Sequence, residues 1–314
     1  MTLAIRETVV SAILDFLGRG GLLPLDDVRV ALEREIDAAG PDALVSLKVR
    51  LGADEGWTYY PPDPLARRIH HMLADRFLQG GSTVEGLEQL DGIGPGPLTI
   101  FANHLSYADA NVVDVLLERA GAGGLAGRLT AIAGPKVFTS RERRFSSLCF
   151  GTVKVPQSTE VSSGEGQLQP REVARAARQA IDVAVGRLAA GDALLLFGEG
   201  TRSRSAAMQP MLAGVARYLD RPGTWVVPAG LTGPESLFPV DAATVHPARV
   251  SMRIGRPIDA GRLAACARGR RQIVMDAIGL AIAELLPSAY RGIYAGTAQF
   301  PDAAEALRRT RQRE

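Results

Sequence analysis

The chain contains little cysteine and no long apolar segment. Its 314 residues include two cysteines, Cys149 and Cys266. This number predicts neither a disulfide framework nor a metal site, and it is typical of a protein from a reducing cytosol. No run approaches about 18 uninterrupted apolar residues, so we expect no transmembrane helix, and residues 1–24 lack the pattern of a secretion signal. We therefore expect a cytoplasmic protein, and peripheral contact with the inner face of the cell membrane stays open.

A strong net charge is also missing. The formal net charge is +2, which gives no reason to expect nucleic acid as a partner. Local clusters are more informative, and Arg141, Arg143 and Arg144 lie together. Such clusters are most often solvated faces, and the alternative is attraction to anionic head groups or phosphorylated ligands.

The composition is that of a globular chain. Hydrophobic residues make up 46% and charged residues 22%, which is enough apolar surface for a sizeable core. We predict an N-terminal helical unit over 1–80, an α/β domain over 81–300, and a charged, frayed tail over 301–314. Apolar residues at helical spacing predict helices over 5–17, 25–38, 41–51 and 65–78.

From residue 98 onward, short apolar runs alternate with helical patterns. The predicted strands cover 98–102, 129–133, 152–155, 193–197, 224–229 and 249–254. Helices are predicted over 110–119 and 170–190. This alternation predicts an α/β fold with a mixed, largely parallel sheet flanked by helices. Functional loops in such sheets follow the carboxyl ends of the strands.

One histidine directly follows such a strand. Residues 103–109 read Asn-His-Leu-Ser-Tyr-Ala-Asp, so His104 and Asp109 lie on either side of a strand-to-helix turn. Asp109 can hold one ring nitrogen of His104 and leave the other as a general base. The alternative is an aspartate that caps its helix beside a packed histidine. His70 and His71 lie within a helix, where packing roles are more common.

A second polar segment follows the strand at 193–197. Residues 198–204 read Gly-Glu-Gly-Thr-Arg-Ser-Arg. Its glycines allow close approach of a backbone to a ligand, and Arg202 and Arg204 are forked donors for phosphate or carboxylate. The alternative is a tight surface turn with two solvated arginines. Because both segments follow strands, their combination indicates a functional site more specifically than either segment alone.

These segments resemble the PlsC-type glycerol-phosphate and lysophospholipid acyltransferase family. Residues 103–109 look like its His-x4-Asp block, and 197–203 look like its Phe-Pro-Glu-Gly-Thr-Arg-Ser block, with Gly198 in place of proline. Residues 226–230, Val-Val-Pro-Ala-Gly, are similar to its fourth block. The resemblance covers about residues 95–260, and the order and separation of the blocks also agree.

The second block of the family is only partly present. Family members carry an arginine that helps to hold phosphate, and here residues 150–156 offer Lys154. A lysine is a point charge without the bidentate fork of arginine. The resemblance thus implies these substrate-binding residues: Lys154, Glu199, Gly200, Thr201, Arg202 and Arg204.

The resemblance implies an acyl transfer without a cofactor or a metal ion. His104 removes a proton from an acceptor hydroxyl, which attacks the thioester of acyl-CoA or acyl-carrier protein, and Asp109 orients His104. Glu199 and Arg202 position the lipid acceptor. Another lipid or glycolipid alcohol as acceptor, and a non-catalytic lipid- or membrane-binding module, stay open. Neither a Gly-x-Ser-x-Gly elbow nor a Gly-x4-Gly-Lys-Ser/Thr loop occurs, which argues against hydrolysis of esters or nucleotides.

Overall fold

Four helices and a short strand form the first part of the computed structural model, which describes residues 2–18, 25–53, 56–93, 96–139, 141–156, 170–240, 242 and 244–312. They are α1 (Thr2–Gly18), α2 (Leu25–Ala39), α3 (Pro41–Gly52), β1 (Tyr59–Tyr60) and α4 (Pro64–Phe77). The apolar side of α1 is buried through Val9, Val10 and Ile13, so this helix packs onto the rest of the molecule. Among the described residues, no helix is long and apolar enough to cross a bilayer.

The remaining elements are helices and strands of the sheet in mixed order, with helices between most of the central strands. In chain order they are β2 (Thr83–Glu85), β3 (Leu98–Ala102), α5 (Asp109–Arg119), α6 (Gly123–Ala126), β4 (Leu129–Ala133), α7 (Arg141–Ser147), β5 (Gly151–Lys154), α8 (Pro170–Ala189), β6 (Ala193–Phe197), β7 (Trp225–Thr232), α9 (Pro234–Leu237), β8 (Ser251–Ile254), β9 (Ile258–Asp259), α10 (Ala260–Cys266), α11 (Arg271–Ala283) and α12 (Pro301–Arg311).

The strands form one nine-stranded sheet in the order β1-β5-β4-β6-β3-β7-β8-β2, with β9 paired to β7. The five strands from β5 to β7 in this order pair in parallel, β8 runs antiparallel to β7, and β1 runs antiparallel to β5. The predicted fold class, a mixed and largely parallel sheet flanked by helices, is confirmed. The division at residue 80 stays a prediction.

The register of the central strands decides where the site can form. Ala102 at the end of β3 pairs with Phe197 at the end of β6, and also with Ala229 on β7. The two polar segments, 103–109 and 198–204, therefore leave the sheet side by side at one edge. This is the edge where functional loops of parallel sheets occur.

Alternate side chains of the central strands enter two different cores. On β3, Ile100 packs with α1 to α5, whereas Phe101 packs with α8 and α11. The same alternation holds for Leu195 and Leu194 on β6, as expected of strands that are covered on both faces. The N-terminal helices thus share one core with the sheet face that carries α5.

The prediction of a frayed tail is wrong for residues 301–311. This segment is the helix α12, which packs against α11. Ala303, Ala306, Leu307 and Thr310 are buried along one side of it, at the spacing of a helical face. The charged residues between them gave the segment the composition of a tail.

Candidate active site

The loop between β3 and α5 brings His104 and Asp109 together. Nδ1 of His104 lies 2.7 Å from Oδ2 of Asp109, and Asp109 is only 1% exposed. The backbone N–H groups of Leu105 and Ser106 donate to the same oxygen at 2.7 and 3.0 Å. Because a carboxylate only accepts, Nδ1 carries the hydrogen and Nε2 remains as the basic nitrogen.

Asp109 does not act as the cap of its helix. The N-cap of α5 is Ala108, which has no side-chain cap bond. The donors to Asp109 instead come from the loop that precedes it, so the carboxylate shapes this loop around the imidazole. Ser106 is part of the same loop, where its Oγ accepts from the N–H of Ala108 at 2.8 Å.

The imidazole of His104 also packs on the end of β6. Its ring stacks on Phe197 with 4.3 Å between centroids and 17° between planes, and its side chain is 22% exposed. One face is therefore fixed by packing and one edge by Asp109. The imidazole is therefore held in one orientation, and its exposed part can contact a substrate.

Glu199 connects the loop that carries His104 with the chain at Gln209. Its carboxylate accepts the backbone N–H of His104 at 2.9 Å and that of Gln209 at 2.7 Å, one at each oxygen. Burial raises the pKa of Glu199 to about 7, and the two backbone donors offset part of this effect. Because both oxygens are engaged with the backbone, the side chain is positioned to hold the His104 loop in place.

The turn after β6 wraps around the same loop. Gly200 has a φ of 70°, a left-handed backbone conformation that favours glycine. The N–H of Ser203 donates to the carbonyl of His104 at 2.8 Å. Thr201 and Arg204 are exposed on this turn. The structure thus brings Glu199 and Ser203 into contact with the backbone of His104.

Tyr107, within the His104 loop, lies under two guanidinium groups. Cζ of Arg202 is 3.2 Å from the centre of its ring, and Cζ of Arg143 is 4.8 Å from it. Burial lowers the pKa of Arg202. Arg144, from the same basic cluster as Arg143, is buried and donates to the carbonyl of Phe138 at 3.0 Å. Only part of the cluster therefore reaches the site.

Lys154 occupies a different place. It ends β5, which β4 and β6 separate from β3 in the sheet. The residue is 7% exposed, and its ammonium lies 5.1 Å from the ring centre of Trp57 and 5.0 Å from that of Phe138. The residue expected to contribute to phosphate binding is thus enclosed by aromatic rings, while the arginine on the turn is beside the histidine loop.

An apolar cavity of about 320 Å³ reaches the histidine loop. Tyr107 and Ala108, which lie between His104 and Asp109, form part of its wall, together with Arg143. Most other wall residues are aliphatic or aromatic and come from α1, α4, α5 and the chain around α9, among them Val9, Ile13, Leu73, Phe77, Val112 and Phe238. Its volume is within the range of small-molecule sites.

A separate polar group connects α4 and α5. His70, His71 and Asp114 offer ligand atoms within 4.8 Å of one another, the arrangement in the described part of the chain that could hold a metal ion. Asp114 already pairs with Arg67 at 2.6 Å and with Nε2 of His71 at 2.8 Å, so a cation there would meet a guanidinium. Burial lowers the pKa of His70 to about 4. We interpret this group as a polar contact between two helices.

Two residues of the site were not assigned a role from the sequence. Asn103 donates to the carbonyl of Leu231 at 3.0 Å and accepts from its N–H at 2.7 Å, which ties the histidine loop to β7. Tyr107 supports both arginines. Asn103 directly precedes His104, and this position could have indicated a role in holding the loop. The contacts of Tyr107 depend on segments that are distant in the chain, so no signal in the sequence indicated them.

Comparisons with known proteins give similarity in structure and none in sequence. No protein-family model matches the sequence, and no curated protein matches it. The structure is similar to that of the 1-acyl-sn-glycerophosphate acyltransferase PlsC from Thermotoga maritima, with 19% identity, 90% of this chain and 95% of that chain covered, and a TM-score of 0.46. At these values the similarity does not by itself reveal an activity.

Proposed function

We propose that the protein is an O-acyltransferase that moves a fatty acyl group from a thioester to a hydroxyl of a glycerol-phosphate or lysophospholipid. The observation that carries this proposal is the pair of a partly exposed His104 and a buried Asp109, 2.7 Å apart, in a loop that also lines an apolar cavity. A base beside an apolar cavity suits a reaction between a hydroxyl and a carbonyl that carries a hydrocarbon chain.

The reaction consists of one transfer. Nε2 of His104 takes the proton of the acceptor hydroxyl while its oxygen attacks the thioester carbonyl, so that a C–O bond forms. The tetrahedral intermediate collapses, the C–S bond breaks, and the thiolate takes the proton back from the imidazolium. Asp109 stabilises the imidazolium between these two steps. No acyl-enzyme is needed because the acceptor itself is the nucleophile.

The site supports this role beyond the two residues. Glu199 holds the backbone of His104, and Arg202 offers a guanidinium close to the loop. The N–H groups of Gly200 and Ser203 already donate to the carbonyls of Phe197 and His104, so we assign stabilisation of the oxyanion to other N–H groups of the turn at 198–204, a contribution of about 3 kcal/mol per donor. The acyl donor is acyl-CoA or acyl-carrier protein, and we expect the enzyme to meet its lipid acceptor at the inner face of the cell membrane.

The test is thiol release by the purified protein. Long-chain acyl-CoA is supplied with glycerol 3-phosphate, lysophosphatidic acid or a lysophospholipid, and the free thiol is measured with and without acceptor. We expect acceptor-dependent release that is lost in His104→Ala, with a decrease in kcat of at least about a thousandfold. A matched control is His246→Ala, since that histidine bonds to Thr244 in another loop.

Two outcomes argue against the proposal. Thiol release that is equal in His104→Ala and in the unchanged protein means that His104 is not the base. Absence of acceptor-dependent release with every donor and acceptor, from protein that binds these lipids, identifies a non-catalytic lipid-binding module.

A further inference from the structure

Three polar side chains meet in the wall of the apolar cavity. His70 on α4, Asn111 on α5 and Ser146 on α7 all line it. Nε2 of His70 lies 3.2 Å from the carbonyl oxygen of Asn111, and Oγ of Ser146 lies 2.5 Å from Oδ1 of Asn111. Asn111 is thus held at its backbone by one helix and at its side chain by another, in a wall that is mostly aliphatic or aromatic.

The hydrogen bond to Ser146 determines which end of the Asn111 amide is free. A separation of 2.5 Å is within the range of O–H···O bonds and below that of N–H···O bonds, so the hydroxyl donates to Oδ1 and leaves Nδ2 free. Across the residues that the structure describes, Nδ2 makes no hydrogen bond, and it is not enclosed by protein atoms. The two N–H groups of this amide are therefore available to a ligand.

A plain hydrocarbon chain would not satisfy this amide. Such a chain displaces water from Nδ2 and offers no acceptor in exchange, and a polar group left in that state weakens binding. An oxygen atom of the ligand at this point accepts the N–H instead. We infer that Asn111 donates a hydrogen bond to an oxygen atom carried by the substrate chain in the cavity, and that Asn111 is a specificity-determining residue. This inference rests on the proposed acyl transfer.

The place of Asn111 on α5 indicates which part of the chain carries the oxygen. The cavity wall contains one side of α5 and its N-cap, at the spacing of a helical face: Ala108, Asn111, Val112 and Val115. Ala108 lies between His104 and Asp109 in the sequence, and Asn111 follows it by about 4.5 Å along the helix axis. An oxygen bonded to Asn111 is therefore near the reactive end of the chain. The ester carbonyl of a lysophospholipid acceptor and a hydroxyl close to the thioester of the donor both meet this requirement.

Steady-state kinetics of Asn111→Leu tests the inference and separates the two sources, because leucine is similar in size to asparagine and has no donor. The acceptors are 1-palmitoyl lysophosphatidic acid and its 1-O-hexadecyl ether, which lacks the carbonyl. The donors are 3-hydroxypalmitoyl-CoA and palmitoyl-CoA. In the unchanged protein, we expect KM for the oxygen-bearing member of one pair to be on the order of 10- to 100-fold lower than for its analogue. Asn111→Leu should remove this difference with little change in kcat.

The pair that shows the difference identifies the substrate in the cavity. A preference for the ester over the ether that is lost in Asn111→Leu assigns the oxygen to the acceptor. A preference for the hydroxylated donor over the plain one that is lost in the same variant assigns it to the donor. If the KM ratios of both pairs are the same in Asn111→Leu and in the unchanged protein, the inference is wrong while the proposed function stands.

Two further substitutions separate hydrogen bonding from the shape of the cavity. Val112→Ala changes the volume of the same wall without removing a polar group, so we expect the KM ratio within each pair to stay as it is in the unchanged protein. Ser146→Ala removes the hydroxyl that orients the amide and should reduce the ratio in part. An equal loss of the ratio in Val112→Ala and in Asn111→Leu means that size determines the preference, and this result also overturns the inference.

Calorimetric titration makes the test independent of turnover. The four compounds are titrated into His104→Ala and into His104→Ala with Asn111→Leu. We expect the second substitution to weaken binding of the ester or of the hydroxylated donor, and not that of its analogue. Equal affinities of the two proteins for every compound contradict the inference. Weaker binding of this kind, in a protein whose unchanged form releases no thiol, supports the contact with Asn111 and argues against the proposed function.

Discussion

The carboxylates of Asp109 and Glu199 have different tasks within one loop. One oxygen of Asp109 accepts hydrogen bonds from the imidazole and from two backbone N–H groups, so Asp109 determines the tautomer of His104. Glu199 bonds only to backbone, at His104 and Gln209. One residue therefore orients the base and the other holds the chain that carries it.

Glu199 makes the stability of the protein depend on pH. Its pKa in the folded state is about 7, above the ordinary value of 4.5, so the folded state holds this proton more tightly than the unfolded state does. The stabilisation is therefore complete below about pH 4.5 and is lost as the pH rises through 7. Glu199→Gln does not titrate, so urea unfolding of both proteins at pH 5 and pH 8 isolates the effect. We expect the free energy of unfolding of the unchanged protein to fall relative to the variant by on the order of 3 kcal/mol.

The comparison between the two proteins also controls for other titrating groups, because these are the same in both. A difference in unfolding free energy that stays constant between pH 5 and pH 8 contradicts a raised pKa of Glu199. Activity measured over the same pH range shows whether the enzyme is active with Glu199 ionised or protonated.

The histidine and its aspartate were predictable because a local rule applies to them. Both lie within one strand-to-helix turn, and a spacing of five residues is enough to bring them together. The contacts of Tyr107 with Arg143 and Arg202 were not predictable, since they depend on how α7 and the turn after β6 pack. Lys154 stays a predicted phosphate-binding residue from the resemblance alone, because its strand lies three positions from β3 in the sheet order and no local pattern connects it with His104.

At the level of elements, the buried parallel strands were the easiest to predict. The structure has strands at 98–102, 129–133 and 193–197, the bounds expected from the apolar runs, because strands covered on both faces are continuously apolar. The short strands β1 and β9 were not expected, since two residues carry no periodicity. The helix α12 was missed for another reason: alanine dominates its buried face, and alanine contrasts weakly with charged neighbours.

The helix α12 contributes to stability through that face. Leu307 is 3% exposed and belongs to the core beneath α11, so Leu307→Ala removes buried methyl groups and leaves a cavity. We expect the free energy of unfolding to fall by about 2–5 kcal/mol, measured by urea denaturation. Arg308→Ala in the same helix is the control, since this arginine is exposed and pairs with Glu305, and it should change stability much less because exposed ion pairs contribute little. Equal effects of the two substitutions would mean that the side of α12 with Leu307 does not pack against the core.

At the level of the whole molecule, the cavity is a joint product of the N-terminal helices and the sheet domain. Its wall combines α1 and α4 with α5 and the chain around α9. The strand ends supply His104, and the N-terminal helices supply apolar surface. Neither part alone encloses the space, so the length of chain that fits should respond to changes in α1, far from His104 in the sequence.

Ala12→Trp tests this dependence on α1. Ala12 lines the cavity, and an indole there takes up space that a hydrocarbon chain would otherwise fill. Each methylene kept out of an apolar site costs about 0.8 kcal/mol, so we expect kcat/KM for long-chain substrates to fall on the order of 10-fold or more, while short-chain substrates react as before. The measurement compares palmitoyl and butyryl forms of donor and acceptor in turn, which also identifies the substrate whose chain occupies the cavity.

Ala38→Trp is the control, because it introduces the same side chain at an exposed position of α2 and should leave kcat/KM unchanged for both chain lengths. If Ala12→Trp lowers activity equally for long and short chains, the cavity does not hold the chain, and the apolar wall next to His104 has a purely structural role.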